Sequence, residues 1–153
     1  MTNRFFPNYD HYIITSRFGQ RVHPITKIKT MHKGIDLTAT NDGVVGNADY
    51  ITAHSGGQVE AVGYGISAGY YVKIRVDSET LMVYYHLKNK STLEKGSFVA
   101  RGAVLGYMGK TGSATGAPCT SVSSIGANGS IRSPGWTGIG SVPRRWSAFP
   151  CRC

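Results

Sequence analysis

The amino-acid sequence predicts an all-β fold, a compact antiparallel assembly followed by an irregular C-terminal tail. Three observations carry that expectation. β-Branched and aromatic residues, among them nine tyrosines, gather in short runs, and twenty glycines punctuate the 153-residue chain between them. Several runs alternate polar and apolar side chains with the two-residue period of a strand. No stretch holds a convincing helical period, and a chain of this length has room for one hydrophobic core.

Taken in order, Tyr12-Ile13-Ile14-Thr15-Ser16-Arg17-Phe18-Gly19 reads as the first strand, closed by its glycine. Arg21 to Ile25 continues extended, because Pro24 biases His23 away from helix. A further strand runs from Ile35 to Ala39, and Thr40 to Gly46 is a turn-rich connection. Tyr50-Ile51-Thr52-Ala53 passes through Ser55-Gly56-Gly57 into Gln58 to Val62 with hairpin-like spacing. Tyr70 to Val76 alternates in polarity, Asp77-Ser78-Glu79 turns it, and Thr80 to Leu87 returns. Ser97-Phe98-Val99 sits between two glycine turns, and Val104 to Met108 closes the series with no repeat and no boundary before residue 113.

The formal charge of +9 is unevenly spread. All eight acidic residues lie at or before Glu94, whereas residues 95–153 hold seven of the seventeen Lys and Arg. Such a basic end could attract an anionic cell wall or nucleic acid. The aromatic–basic interleaving of single-strand binders is missing, as is any nucleic-acid motif, so no specific nucleic-acid binding is expected. No apolar run reaches membrane-spanning length. The first residues, Met1-Thr2-Asn3-Arg4-Phe5-Phe6-Pro7, lack the pattern of a signal peptide, so export is expected through lysis, a phage-like carrier or a parent polypeptide. Cys119, Cys151 and Cys153 form neither a disulfide framework nor a zinc-finger spacing.

Chemistry concentrates in Met31-His32-Lys33-Gly34-Ile35-Asp36. The even separation of His32 and Asp36 puts both on one side of an extended strand, and Gly34 allows close backbone approach. Imidazole plus carboxylate suits zinc. On the pair alone, a surface histidine and a turn aspartate remain the alternative.

The residues then carry a resemblance. Ile14 to Ile25 with its Arg21-Val22-His23-Pro24, His32-Lys33-Gly34-Ile35-Asp36, Tyr84-Tyr85-His86-Leu87 and Lys110-Thr111-Gly112 together resemble a lysostaphin-type (LytM-like) zinc metalloendopeptidase over residues 12–116. The resemblance implies a small antiparallel β domain with a groove over the sheet, acting on cross-bridge or stem peptides of bacterial peptidoglycan. It implies that His32 and Asp36 are zinc ligands. His86 would be the catalytic histidine that orients water or stabilises the oxyanion, and His23 would have a structural or groove role. Zinc activates bound water while a nearby imidazole handles protons, so the set is chemically coherent. His11 and His54 have no motif around them and are expected to be exposed.

One part of the pattern is missing. The family continues into a Pro-His-x-His strand whose second histidine completes the zinc site, but here Thr115-Gly116 is followed by Ala117-Pro118-Cys119-Thr120-Ser121. Aligned directly, Pro118 and Thr120 replace the two histidines, Cys119 is a candidate thiolate ligand that alternation would point to the other face, and Pro118→His with Thr120→His is the expected repair. A weak or incomplete zinc site follows, and a catalytically inactive domain that binds peptidoglycan or regulates a partner hydrolase is the alternative function. Codons for residues 116–121 are compatible with one inserted base, since removing it permits Gly-Pro-His-Val-His or Gly-Pro-His-Ala-His. A divergent, frame-shifted tail over residues 117–153, with a doubtful strand after Pro118, is therefore expected.

Overall fold

A computed structural model describes residues 12–16, 18–22, 27–39, 50–116, 120–126, 131–132 and 151–152. Every regular element among them is a strand. In chain order these are β1 (Tyr12–Ser16), β2 (Gly19–Val22), β3 (Lys29–His32), β4 (Ile35–Ala39), β5 (Tyr50–Thr52), β6 (Gly57–Gly65) and β7 (Gly69–Arg75). They continue with β8 (Thr80–Leu87), β9 (Phe98–Val99), β10 (Val104–Tyr107), β11 (Thr115–Gly116), β12 (Thr120–Gly126), β13 (Ile131–Arg132) and β14 (Cys151–Arg152).

The main sheet has the order β1-β4-β12-β8-β7-β6-β9, with β13 paired to β12, and all its pairings are antiparallel. Alternation sorts its two faces. Ile35 and Leu37 on β4, Val122 on β12, Met82 and Tyr84 on β8 and Val72 and Ile74 on β7 enter one core cluster. The β5–β10 ribbon supplies Ile51 and Leu105 to the same cluster. Tyr84 is fully buried there, and its phenol oxygen accepts the His54 backbone N–H at 2.9 Å. A buried tyrosine hydroxyl needs such a partner. The opposite face of the sheet is left for the groove.

Two elements depart from expectation. His32 and Asp36 do not share a strand: His32 ends β3, Asp36 stands in β4, and Lys33-Gly34 separates them. The sheet also runs on past residue 116. β12 is a central strand, hydrogen-bonded to β4 on one side and β8 on the other. Pro118 lies outside the described residues, and the strand begins two positions later, where every residue has a backbone donor. Only Val122 among its core-facing residues is aliphatic, and its complete burial is worth about 1.5–3 kcal/mol. Ladders on both edges complete the hold.

Candidate active site

The groove over the free face has a volume of about 360 Å³ and takes its walls from several elements. His32 and Gly34 come from the β3–β4 connection, Tyr85 and His86 from β8, and Ser121 and Ser123 from β12. His32 and His86 therefore meet in one groove. Asp36 lies beneath it, fully buried, with Oδ1 3.1 Å from His32 Nε2. On its other side the ring is met by Ser16, whose hydroxyl lies 3.3 Å from His32 Nδ1. Ser16 is the cross-strand partner of Asp36, so one register position fixes both contacts of the ring.

Gly34 explains how the pair can sit so close to β12. A Cβ there would stand 2.7 Å from Ser123 Oγ and 2.9 Å from both Ser121 Oγ and the Val122 carbonyl oxygen. Only glycine lets the connector pass over that strand.

His86 reaches the groove by a different device. Tyr84 faces the core, so alternation would return His86 to the core as well. Between the pairs Val72↔Tyr84 and Tyr70↔Leu87, however, β8 carries one residue more than β7, a bulge. At His86 the backbone turns left-handed, with φ of 60°, an uncommon conformation for a non-glycine residue. Ring and main chain are both held. The Nδ1–H donates to the Thr111 carbonyl at 2.8 Å, and the backbone N–H donates to the Ala68 carbonyl at 2.9 Å. Nε2 is thus left as the ring atom available for proton exchange.

Thr111 is in turn locked. Its hydroxyl donates to the Leu87 carbonyl at 2.6 Å and accepts the Tyr70 N–H at 3.0 Å. Gly69, at φ of 63°, packs so tightly on Thr111 that a Cβ would overlap both its hydroxyl and its carbonyl. The Lys110-Thr111-Gly112 signature carried no role in the sequence reading, yet Thr111 is the residue that orients His86. Tyr85 was also missed. Burial, and then the Tyr71 hydroxyl, pushes its phenol above the ordinary range, so Tyr85 stays a neutral group on the groove wall.

The β12 wall corrects the expected alignment. Ser121 is the direct cross-strand partner of Asp36, and Thr120 is that of Leu37. Thr120 is therefore turned into the core, fully buried, and among the described residues its hydroxyl has no hydrogen-bond partner. It does not stand where a third ligand would. Among the described residues no three of His, Cys, Asp and Glu gather around one point. A catalytic zinc site takes three protein ligands and leaves a position open, so His32, Asp36 and a serine hydroxyl do not fit that centre. Cys119, His23 and His11 lie outside the described residues. His54 is not exposed: it is partly buried against the core, and desolvation, then the Arg101 charge, lowers its pKa to about 4.

This face can be compared with known proteins. The family model described as Peptidase family M23 matches residues 30–123, a span that includes His32, Asp36, His86 and the first half of β12. The chain belongs to peptidase family M23. It is similar to the DD-carboxypeptidase/endopeptidase Mpg of Neisseria meningitidis, 36% identical over 104 residues, which cover 67% of this chain and 22% of that protein. Among solved structures it is similar to a zinc-containing peptidase from Vibrio cholerae, with a TM-score of 0.72 and 28% identity, over 92% of this chain and 40% of the other. The catalytic domain of lysostaphin from Staphylococcus simulans shares the fold, with a TM-score of 0.67 and 22% identity over 80% and 89% of the two chains. This M23 chain spans about a quarter of the length of the curated relatives it matches.

Proposed function

We propose that this M23 domain binds cross-bridge or stem peptides of bacterial peptidoglycan in its groove, and that its hydrolytic power is largely lost. The domain descends from a zinc-dependent endopeptidase of the cell wall. The relatives named as endopeptidase and zinc-containing peptidase support the substrate class, and a formal charge of +9 suits an anionic wall. The groove itself offers hydroxyls and two imidazoles, groups that pair with an extended peptide backbone.

One observation carries the loss of catalysis. Ser121 stands opposite Asp36, so the β12 wall presents no third charged or imidazole donor to the pair. His32 and Asp36 alone hold zinc weakly and lose it to buffer. His86 keeps its place, and its role here is to hydrogen-bond bound peptide. The departure over residues 117–121 fits one inserted base, which sequencing codons 114 to 122 tests.

Sedimentation with purified peptidoglycan is the test. The chain should co-sediment equally with and without a chelator, retain no zinc after dialysis, and release no new amino termini when zinc is added. Dialysis-resistant zinc with chelator-sensitive release of amino termini would restore the plain endopeptidase reading. Failure to sediment at all would remove peptidoglycan recognition.

A further inference from the structure

The misfit between this donor set and a three-ligand centre has a definite location. We infer that position 121, not position 120, is where this chain's fold presents a side chain to the His32–Asp36 pair, so that its metal deficit is a single-residue deficit at Ser121. The inference rests on reading that pair as half of a metal site.

Three independent features agree. The first is register: Ser121 pairs with Asp36 across the β4–β12 ladder, and directly opposed residues share a face. The second is close approach, because Ser121 Oγ points at the place where a Gly34 Cβ would be, on the connector that joins His32 to Asp36. The third is the fate of Thr120, whose buried hydroxyl has no hydrogen-bond partner among the described residues on the core side. Ser121 also lines the groove, whereas Thr120 does not.

Val122 is what fixes this register. As the strand's fully buried aliphatic residue, it forces even positions inward and odd positions toward the groove. A chain read in the other frame, with Pro-His-Val-His at 117 to 120, would have its aliphatic residue at 119 and histidines at 118 and 120. That pattern asks for the opposite parity, and a one-residue slip supplies it. The strand that replaced it has settled one step away, so histidine restored at 120 alone would face the core.

The test compares Ser121→His and Thr120→His in the full chain, with Ser121→Cys and Thr120→Cys as smaller variants that keep the fold. Zinc retained after dialysis, the visible absorption of added cobalt and the denaturation midpoint with and without zinc are read for each. We expect both 121 variants to retain one zinc per chain and to unfold later when zinc is present. Both 120 variants should retain none, and Thr120→His should unfold earlier because it puts an imidazole into the core. Metal gained at 120 and not at 121 would overturn the inference. So would folded 121 variants that bind no metal. Peptidoglycan sedimentation of the unaltered chain reports on the proposed function separately, since it requires no metal.

Discussion

The two walls of the groove, β8 and β12, are built to different standards. The β8 wall spends backbone strain and a bulge to bring His86 across, then ties the ring to Thr111 and Thr111 to Leu87 and Tyr70. The β12 wall is a regular strand between two neighbours, and it presents Ser121 and Ser123 to the groove. One wall thus holds an imidazole in a fixed place, while the other brings only serine hydroxyls to the groove. Fold and chemistry are thus separable here: a central strand forms from one buried valine and two ladders, but a metal centre needs particular atoms at particular positions.

The largest effect is expected from breaking the β8 wall. Thr111→Val leaves the Leu87 carbonyl and the Tyr70 N–H without their partner, each orphan costing about 1–3 kcal/mol. Urea denaturation should show that loss, and the His86 imidazole should lose its fixed tautomer in nitrogen NMR spectra. Unchanged stability would mean that Thr111 does not anchor the wall. Next comes the strain at His86 itself. His86→Ala and His86→Gly both delete the ring, but glycine accepts φ of 60° freely, so the glycine variant should be the more stable by about 1 kcal/mol. Equal stabilities would show that the backbone relaxes and that the left-handed turn depends on the imidazole.

On the β12 wall the expected change has the opposite sign. Thr120→Val removes a buried hydroxyl that has no hydrogen-bond partner among the described residues and replaces it with a methyl of nearly the same shape. It should stabilise the fold by about 1 kcal/mol, read from the urea midpoint. A destabilised valine variant would place Thr120 toward polar surroundings and break the comparison between the walls.

These walls also differ in how legible they were. Strand composition and glycine spacing announced β6, β7 and β8, and the His32-x-x-x-Asp36 spacing named a pair that does touch, though the two residues belong to adjoining strands. His86 was named through its motif. Its position could not follow from alternation, because alternation buries it and only the bulge brings it out. β12 escaped notice since Thr120-Ser121-Val122-Ser123-Ser124-Ile125-Gly126 is too polar to read as a central strand, and its membership is decided by the neighbours it pairs with. Direct alignment then chose Thr120 over Ser121, a one-residue difference that sequence cannot resolve and that strand parity decides.

The smallest effect should come from pH, and it too should separate the walls. None of residues 120–126 ionises near neutrality, whereas Tyr84 of β8 meets the His54 backbone on the core side. Burial, and then Arg101, holds the His54 pKa at about 4, against 6.5 for the free side chain. Because the folded value is depressed, the unfolded chain takes up a proton first as pH falls below 6.5. Stability contributed by neutral His54 is fully present above 6.5, declines between 6.5 and about 4, and changes no further below that. His54 is one partly buried group, so the change should be modest and best seen as a difference between variants. Urea midpoints at pH 7.5 and 4.5 should lie closer together for His54→Gln than for the unaltered chain, and Thr120→Val should leave the spacing as it was. If His54→Gln keeps the full pH dependence, the imidazole titrates alike in both states and its burial against the β8 side carries no acid sensitivity.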